Sequence, residues 1–322
     1  MKERTRPRVS LVLGSGGARG LTHIGIIQWL EAQGYRIESI AGCSMGALVG
    51  GIHAAGKLDR YRDWVCALRR TDVLRFLDLA FQSSGLIKGD RIMDRLREMV
   101  GEHDIEQLPM TYTAVATDIE RQREVWITKG SLFDAIRASI AVPTVFTPHR
   151  YLGLTLVDGG LLNPVPIAPT FRDLTDLTIA VNLNGDPEDT PRSTATPASS
   201  PASSSRKPST QNRDDDLRGR ILEFLDGIGE SLKSDDVEAR ELGMFELMSH
   251  SFETMQNAIS AMKLAAYAPD VLINVPRDVC DAHEFHRARE LIGIGYRLAE
   301  RAMADAPQDR YADSIRAPVG TG

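Results

Sequence analysis

Three short stretches of this chain carry residue types that chemistry can use. Gly14-Ser-Gly-Gly-Ala-Arg-Gly20 is a glycine-rich turn with one cation in it. Gly42-Cys-Ser-Met-Gly46 sets Ser44 between two glycines, and Asp158-Gly-Gly160 ends an apolar run on a carboxylate. A serine becomes a nucleophile only when a base takes its proton and donors meet the oxyanion that forms. The three stretches could supply those parts, and each also has an ordinary structural reading.

The glycine-rich turn admits several uses. A dinucleotide site needs G-x-G-x-x-G, but from Gly14 the sixth position is Arg19, and from Ser15 the first glycine is missing. Glu38 lies at a suitable distance for the ribose carboxylate but precedes a strand-like run instead of ending one. A phosphate-cradling loop would end in Gly-Lys-Ser/Thr, and this one does not. A plain tight turn remains open. So does an oxyanion hole, in which the amides of Gly16 and Gly17 turn inward because no Cβ obstructs them. Arg19 would fix that loop or add positive potential.

Gly42-Cys-Ser-Met-Gly46 matches G-x-S-x-G, which places serine on a strained strand-to-helix turn. The pattern is short enough to arise by chance, and a glycine-lined packing corner would look the same. Its flanks fit the motif: a strand-like run before it, and Met45, Leu48, Val49 and Ile52 at helical spacing after it. The usual base is histidine. His250 falls in a helix-like stretch, His283 and His286 lie near the start of the last helix, and His23 and His53 fall in early helices. None follows a strand in a glycine-marked loop. Asp158 does, since Leu154-Thr-Leu-Val precedes it and two glycines follow. Asp-Gly is also a strong turn signal. If Gly16, Ser44 and Asp158 all lie at the C-terminal edge of one sheet, they converge where open α/β sheets bind ligands.

The elements that would hold these residues can be read from periodicity. Strands are expected over 9–13, 37–41, 111–117, 124–127, 154–157, 177–182 and 271–275. Helices are expected over 21–33, 45–55, 58–70, 90–100, 131–140, 238–267 and 284–303, with further helical periodicity over 217–233. The opening strand–helix–strand–helix pattern points to layered α/β architecture with parallel strands. Residues 185–216 hold no aliphatic side chain larger than alanine, so nothing there can drive folding and a disordered insertion is expected. The later strand suggests one domain: a core over 8–183, the insertion, and a helical region over 217–303 that returns a strand to the same sheet.

Composition narrows the function classes. The 322 residues are 42% hydrophobic and carry a net charge of −6, which disfavours nucleic acid as a partner. The basic excess in the first seven residues, MKERTRP, reads as a solvated tail or a weak attraction to an anionic membrane surface. Cys43, Cys66 and Cys280 are odd in number and widely spaced, so reduced thiols in a cytoplasmic protein are expected, with neither disulfides nor zinc. There is no apolar run of about 18 residues and no signal-peptide pattern at the N-terminus.

Taken together, Gly14–Gly20, Gly42–Gly46 and Asp158–Gly160, with Ile136-Arg-Ala-Ser-Ile-Ala-Val-Pro-Thr-Val-Phe-Thr-Pro148 before the aspartate, resemble the bacterial patatin-like phospholipase family. The resemblance covers about 8–183 and the returning part near 270–300. It implies a three-layer α/β/α fold with a mainly parallel central sheet, and hydrolysis of acyl esters of lipids by a Ser–Asp dyad without histidine. On it, Ser44 attacks the ester carbonyl, Asp158 serves as base, and Gly16, Gly17 and Arg19 form the oxyanion loop, with Gly42 and Gly46 shaping the nucleophile turn. No cofactor or metal, calcium included, is required. Ser15 departs from the family, where many members have glycine, as does the Pro/Ser-rich insertion.

The family is often peripheral to membranes, here at the inner face, and several members self-associate; neither property is read from these residues. The apolar stretch 71–88 reads as a lid or membrane-contacting flap, or as a core helix. A lipid-binding or regulatory protein with little turnover is the competing class, and nucleotide binding through the glycine turn is a third. Head group, acyl position and chain length are not specified.

Overall fold

The computed structural model describes residues 7–72, 89–143, 145–187 and 235–306. Backbone contacts divide the chain into a unit of Met1–Thr190 with Thr254–Gly322 and a second of Pro191–Glu253. The first holds the sheet. Of the second, the start of one long helix is described. The stretch 73–88, which includes most of the expected lid, and residues 188–234 lie outside the described residues. Gly185 closes a strand and Asp186 pairs with Arg277 at 3.0 Å.

Strand β1 (Arg8–Leu13) is followed by helix α1 (Thr22–Ala32), β2 (Arg36–Cys43), α2 (Met45–Ala54), α3 (Leu58–Ala67) and α4 (Asp90–Val100). Then come β3 (Thr111–Asp118), β4 (Arg123–Ile127), α5 (Leu132–Ser139), β5 (His149–Tyr151), β6 (Leu154–Asp158) and β7 (Leu177–Gly185). The long helix α6 (Asp235–Ala266), β8 (Val271–Pro276) and α7 (Ala288–Asp305) complete the described elements. Most expected elements appear within a few residues of their predicted bounds. Helix α3 stops three residues early because Leu68 turns extended. The last helix begins at Ala288, after a short 3₁₀ turn over Phe285–Arg287. Strand β5, three residues long, was not expected, and is too short to show a period.

The sheet runs β5-β6-β3-β2-β1-β7-β8, with β4 also on β3. The pairs among β3, β2, β1, β7 and β8 are parallel, and the pairs made by β4, β5 and β6 are antiparallel. The chain moves from β1 through β2 to β3 and then returns to the other side of β1. The glycine-rich turn after β1 therefore sits at a topological switch point, where sheets of this kind open a crevice.

Alternation along β1 shows the layers. Val9, Leu11 and Leu13 enter the main core with Ile24, Ile27 and Leu291, from α1 and α7. Val12 points to the other face and packs with Val165, Ile167 and Ala180 beside Leu264 and Tyr267. Helices on both faces of a mainly parallel sheet give three α/β/α layers. Leu21, Ile24, Ile27 and Leu30, spaced three apart, are all fully buried, which is why this segment is helical here.

Candidate active site

Ser44 lies between β2 and α2 with φ 54° and ψ −123°, a positive φ that costs a non-glycine residue about 1–3 kcal/mol. The surroundings hold it there. Its amide donates to Ser139 Oγ at 2.9 Å, and that hydroxyl donates to the Val115 carbonyl at 2.6 Å. Both neighbouring glycines are sterically required. A Cβ at Gly42 would meet the Gly46 carbonyl at 2.5 Å, and one at Gly46 would strike the Leu13 carbonyl. The α2 N-terminus begins at the next residue, and its dipole favours negative charge at Ser44.

Asp158 reaches Ser44 by an unexpected path. The convergence expected from sequence rested on strands stopping at one edge. Strand β6 instead runs antiparallel to β3, with Asp158 opposite Ala116. One edge of β3 is filled by β4 over Ala114–Asp118, so β2 and β6 share the other edge, end to end. Strand β2 stops at Cys43, paired with Val115, and β6 arrives from the opposite direction and stops at Ala116. The two strand ends therefore abut, and Cys43 Sγ lies 3.9 Å from Asp158 Oδ1.

The carboxyl is fully buried, and burial pushes its pKa up to about 6. The Ser44 hydroxyl and the Gly160 amide oppose that rise. Oδ1 accepts the Gly160 amide at 2.7 Å, while Oδ2 has no hydrogen-bond partner. The Ser44 hydroxyl is close enough to act on the carboxyl, but no hydrogen bond between them is formed; such contacts often tighten only with substrate bound. The arrangement is a fixed carboxylate with one oxygen open to a proton, beside a strained serine. Gly159 allows the approach, since a Cβ there would strike the Val115 carbonyl.

The glycine-rich turn touches the serine turn. Gly20 packs against Met45, and Gly46 lies against Leu13 and Gly14. Gly14, Ser15 and Ala18 spend their amides on the carbonyls of Val181, Pro164 and Ala282 at 3.1, 2.9 and 2.8 Å. The Gly16 and Gly17 amides make no such bonds among the described residues. Gly17 has φ 56°, and a Cβ there would meet the Ala282 carbonyl at 2.6 Å. Buried Arg19 donates to the carbonyls of Gly16 at 3.2 Å and Arg277 at 3.1 Å. A planar trans peptide then turns the Gly17 N–H away from the guanidinium. Of the two uses weighed for Arg19, these bonds serve loop fixing.

No histidine hydrogen-bonds to Ser44 or Asp158 among the described residues. His23 is buried beneath the loop and its Nε2 lies 2.9 Å from the Gly14 carbonyl; burial lowers its pKa to about 4. His250 and His283 are exposed. Sequence reasoning missed Ser139, Cys43 as a neighbour of the carboxylate, and Gln256, which packs on Gly160. Ser139 lay within the family-like stretch before the aspartate, the one signal that could have found it. A cavity of about 870 Å³, lined by Glu31, Tyr35, Arg36, Glu38 and Thr111, opens at the opposite ends of β2 and β3, away from Ser44.

Comparison with known proteins agrees with the fold. The family model for patatin-like phospholipase matches residues 11–171. An uncharacterized NTE family protein of Mycobacterium tuberculosis (strain H37Rv) is 40% identical over 92% of this chain and 91% of its own length. One from Mycobacterium bovis is equally similar. Lysophospholipase nte1 of Emericella nidulans is 30% identical over 57% of this chain but only 12% of its own length. The chain belongs to the patatin-like phospholipase family of lipid acyl hydrolases.

Proposed function

We propose that the chain hydrolyses lipid carboxylic esters through Ser44 and Asp158, with lysophospholipids or phospholipids as substrates. The observation that carries this reading is the abutment of β2 and β6, which sets a buried carboxylate with an unpartnered oxygen beside a serine held at positive φ. Ser44 Oγ attacks the acyl carbonyl as its proton passes to Asp158. The oxyanion is met by the Gly16 and Gly17 amides, and the α2 dipole adds to their field. Asp158 returns the proton to the leaving alcohol, then takes one from the water that cleaves the acyl-enzyme. Gly42 and Gly46 shape the turn, and Arg19 positions the loop. The lysophospholipase names of the fungal relatives support the substrate class.

The reading also places the protein at a lipid surface while it works. Among the described residues no helix is long and apolar enough to cross a membrane, so contact would be peripheral. A fluorophosphonate probe with mass-spectrometric mapping tests the dyad. The adduct is expected on Ser44, absent in Ser44→Ala, and at least ~100-fold slower to form in Asp158→Asn, in line with loss of a general base. An unlabelled but folded wild type, with and without vesicles, would sink the reading and leave lipid binding without turnover.

A further inference from the structure

Helix α6 is amphipathic in the wrong sense where it crosses the site. Gln256 and Ser260 are buried, while Met255 and Met262 face solvent at 55% and 63% exposure. A helix normally buries its apolar stripe, so a buried polar stripe needs a polar occupant to justify it. Ser15 raises the same question from the other side. Ser15 is 2% exposed and its hydroxyl has no hydrogen-bond partner, and neither has Ser260 Oγ. Gln256, 5% exposed, brings its side-chain amide to the same place. A buried hydroxyl left unpaired is costly, because it has given up its water without gaining a partner.

These groups meet over Gly160. A Cβ there would strike Gln256 Nε2 and would stand 3.0 Å from both Asp158 Oδ1 and Ser15 Oγ. The Gln256 amide, the Ser15 hydroxyl and Asp158 Oδ1 thus converge on one point over Gly160, close enough for a water to bridge between them. A buried water is held by two to four polar partners, and this is such a set.

We propose that Ser15 Oγ and the Gln256 side-chain amide hold the water that hydrolyses the acyl-enzyme, an inference that rests on the Ser44–Asp158 reading. Once Ser44 is acylated and the alcohol has left with a proton, the Asp158 carboxylate is again free. The water oxygen bonds to the acyl carbon as Asp158 accepts the water's proton. Collapse of the tetrahedral intermediate breaks the bond between Ser44 Oγ and the acyl carbon. Asp158 returns the proton to Ser44 Oγ, and the fatty acid departs. Ser15 and Gln256 orient the water and take no proton themselves. The exposed methionine face of α6 is then the reverse side of a helix whose inward face binds solvent.

The test is rapid mixing of the full chain with a p-nitrophenyl ester of a medium-chain fatty acid. The burst reports acylation and the steady state reports deacylation. In Ser15→Ala and Gln256→Leu the burst rate should stay at the wild-type value while the steady state falls at least ~10-fold. Acyl-Ser44 should accumulate by mass spectrometry, and hydroxylamine, which needs no oriented water, should restore turnover. Ser15→Gly and Gln256→Met serve if either first variant fails to label normally with fluorophosphonate. Unchanged steady-state rates, or burst and steady state falling together, would overturn the proposal while Ser44 labelling leaves the dyad standing. No acyl or fluorophosphonate adduct in wild type would remove both.

Discussion

At the scale of single residues, the site stores two costs that suit the chemistry. Ser44 is held at positive φ, and Asp158 is ionised only against burial. The sign of the second follows from its direction. A carboxyl whose pKa rises on folding favours the protonated folded state, so its contribution to stability is greatest below pH 4 and is lost as pH rises through about 6. Asp158→Asn should therefore raise the melting temperature at pH 7 to 8, by the equivalent of about 3 kcal/mol, with the gain fading toward pH 4. Thermal melts across pH read this directly. The same shift sets activity the other way: kcat/KM should climb with pH through about 6, because the base must be unprotonated. A pH–rate profile flat across that range would exclude Asp158 as the group that accepts the proton.

At the scale of elements, the glycine-rich loop proposed as the oxyanion hole depends on a helix pair remote in sequence. Helix α1 follows the loop, and it meets α7 backbone to backbone. A Cβ at Gly25 would strike the Ile292 carbonyl, and one at Gly295 the Thr22 carbonyl. Gly295→Val must drive the two helices apart, costing on the order of 1–3 kcal/mol in denaturant unfolding. Because Thr22 lies directly after the loop, esterase activity should fall more steeply than stability. Its burst and steady-state rates should drop together, unlike those of Gln256→Leu. The turn before α7 adds its own brace through Ala282 and the Arg277 carbonyl. The family match at 11–171 thus leaves out residues that hold the loop in place.

At the scale of the whole molecule, the sheet closes without the Pro/Ser-rich stretch. Strands β7 and β8 pair directly, from Ile179 opposite Val271 to Gly185 opposite Pro276. We propose that 188–216 is a spacer within one domain, since its composition supplies nothing to bury. Deleting 188–216 should leave the melting temperature within about 2 °C and kcat/KM within about twofold, as expected for a segment outside the cooperative core. A collapse of either on deletion would assign the segment a structural or regulatory part.

The sequence by itself determined the elements and the three chemical stretches, because both kinds of signal are local. Apolar residues three and four apart make α1, and glycines on either side of Ser44 and at Gly16–Gly17 mark where backbone must turn or approach closely. It also pointed to Asp158 as the candidate base, since no histidine stood in a suitable loop. What it could not supply was the path by which Asp158 meets Ser44. That depends on β2 and β6 sharing one edge of β3 from opposite directions, a pairing between segments more than a hundred residues apart that leaves no mark in either one's periodicity. Ser139 and Gln256 were illegible for the same reason. Each meets the site through contacts between segments remote in sequence, Ser139 with Ser44 and Val115 and Gln256 with Gly160, and only the assembled chain brings those partners together.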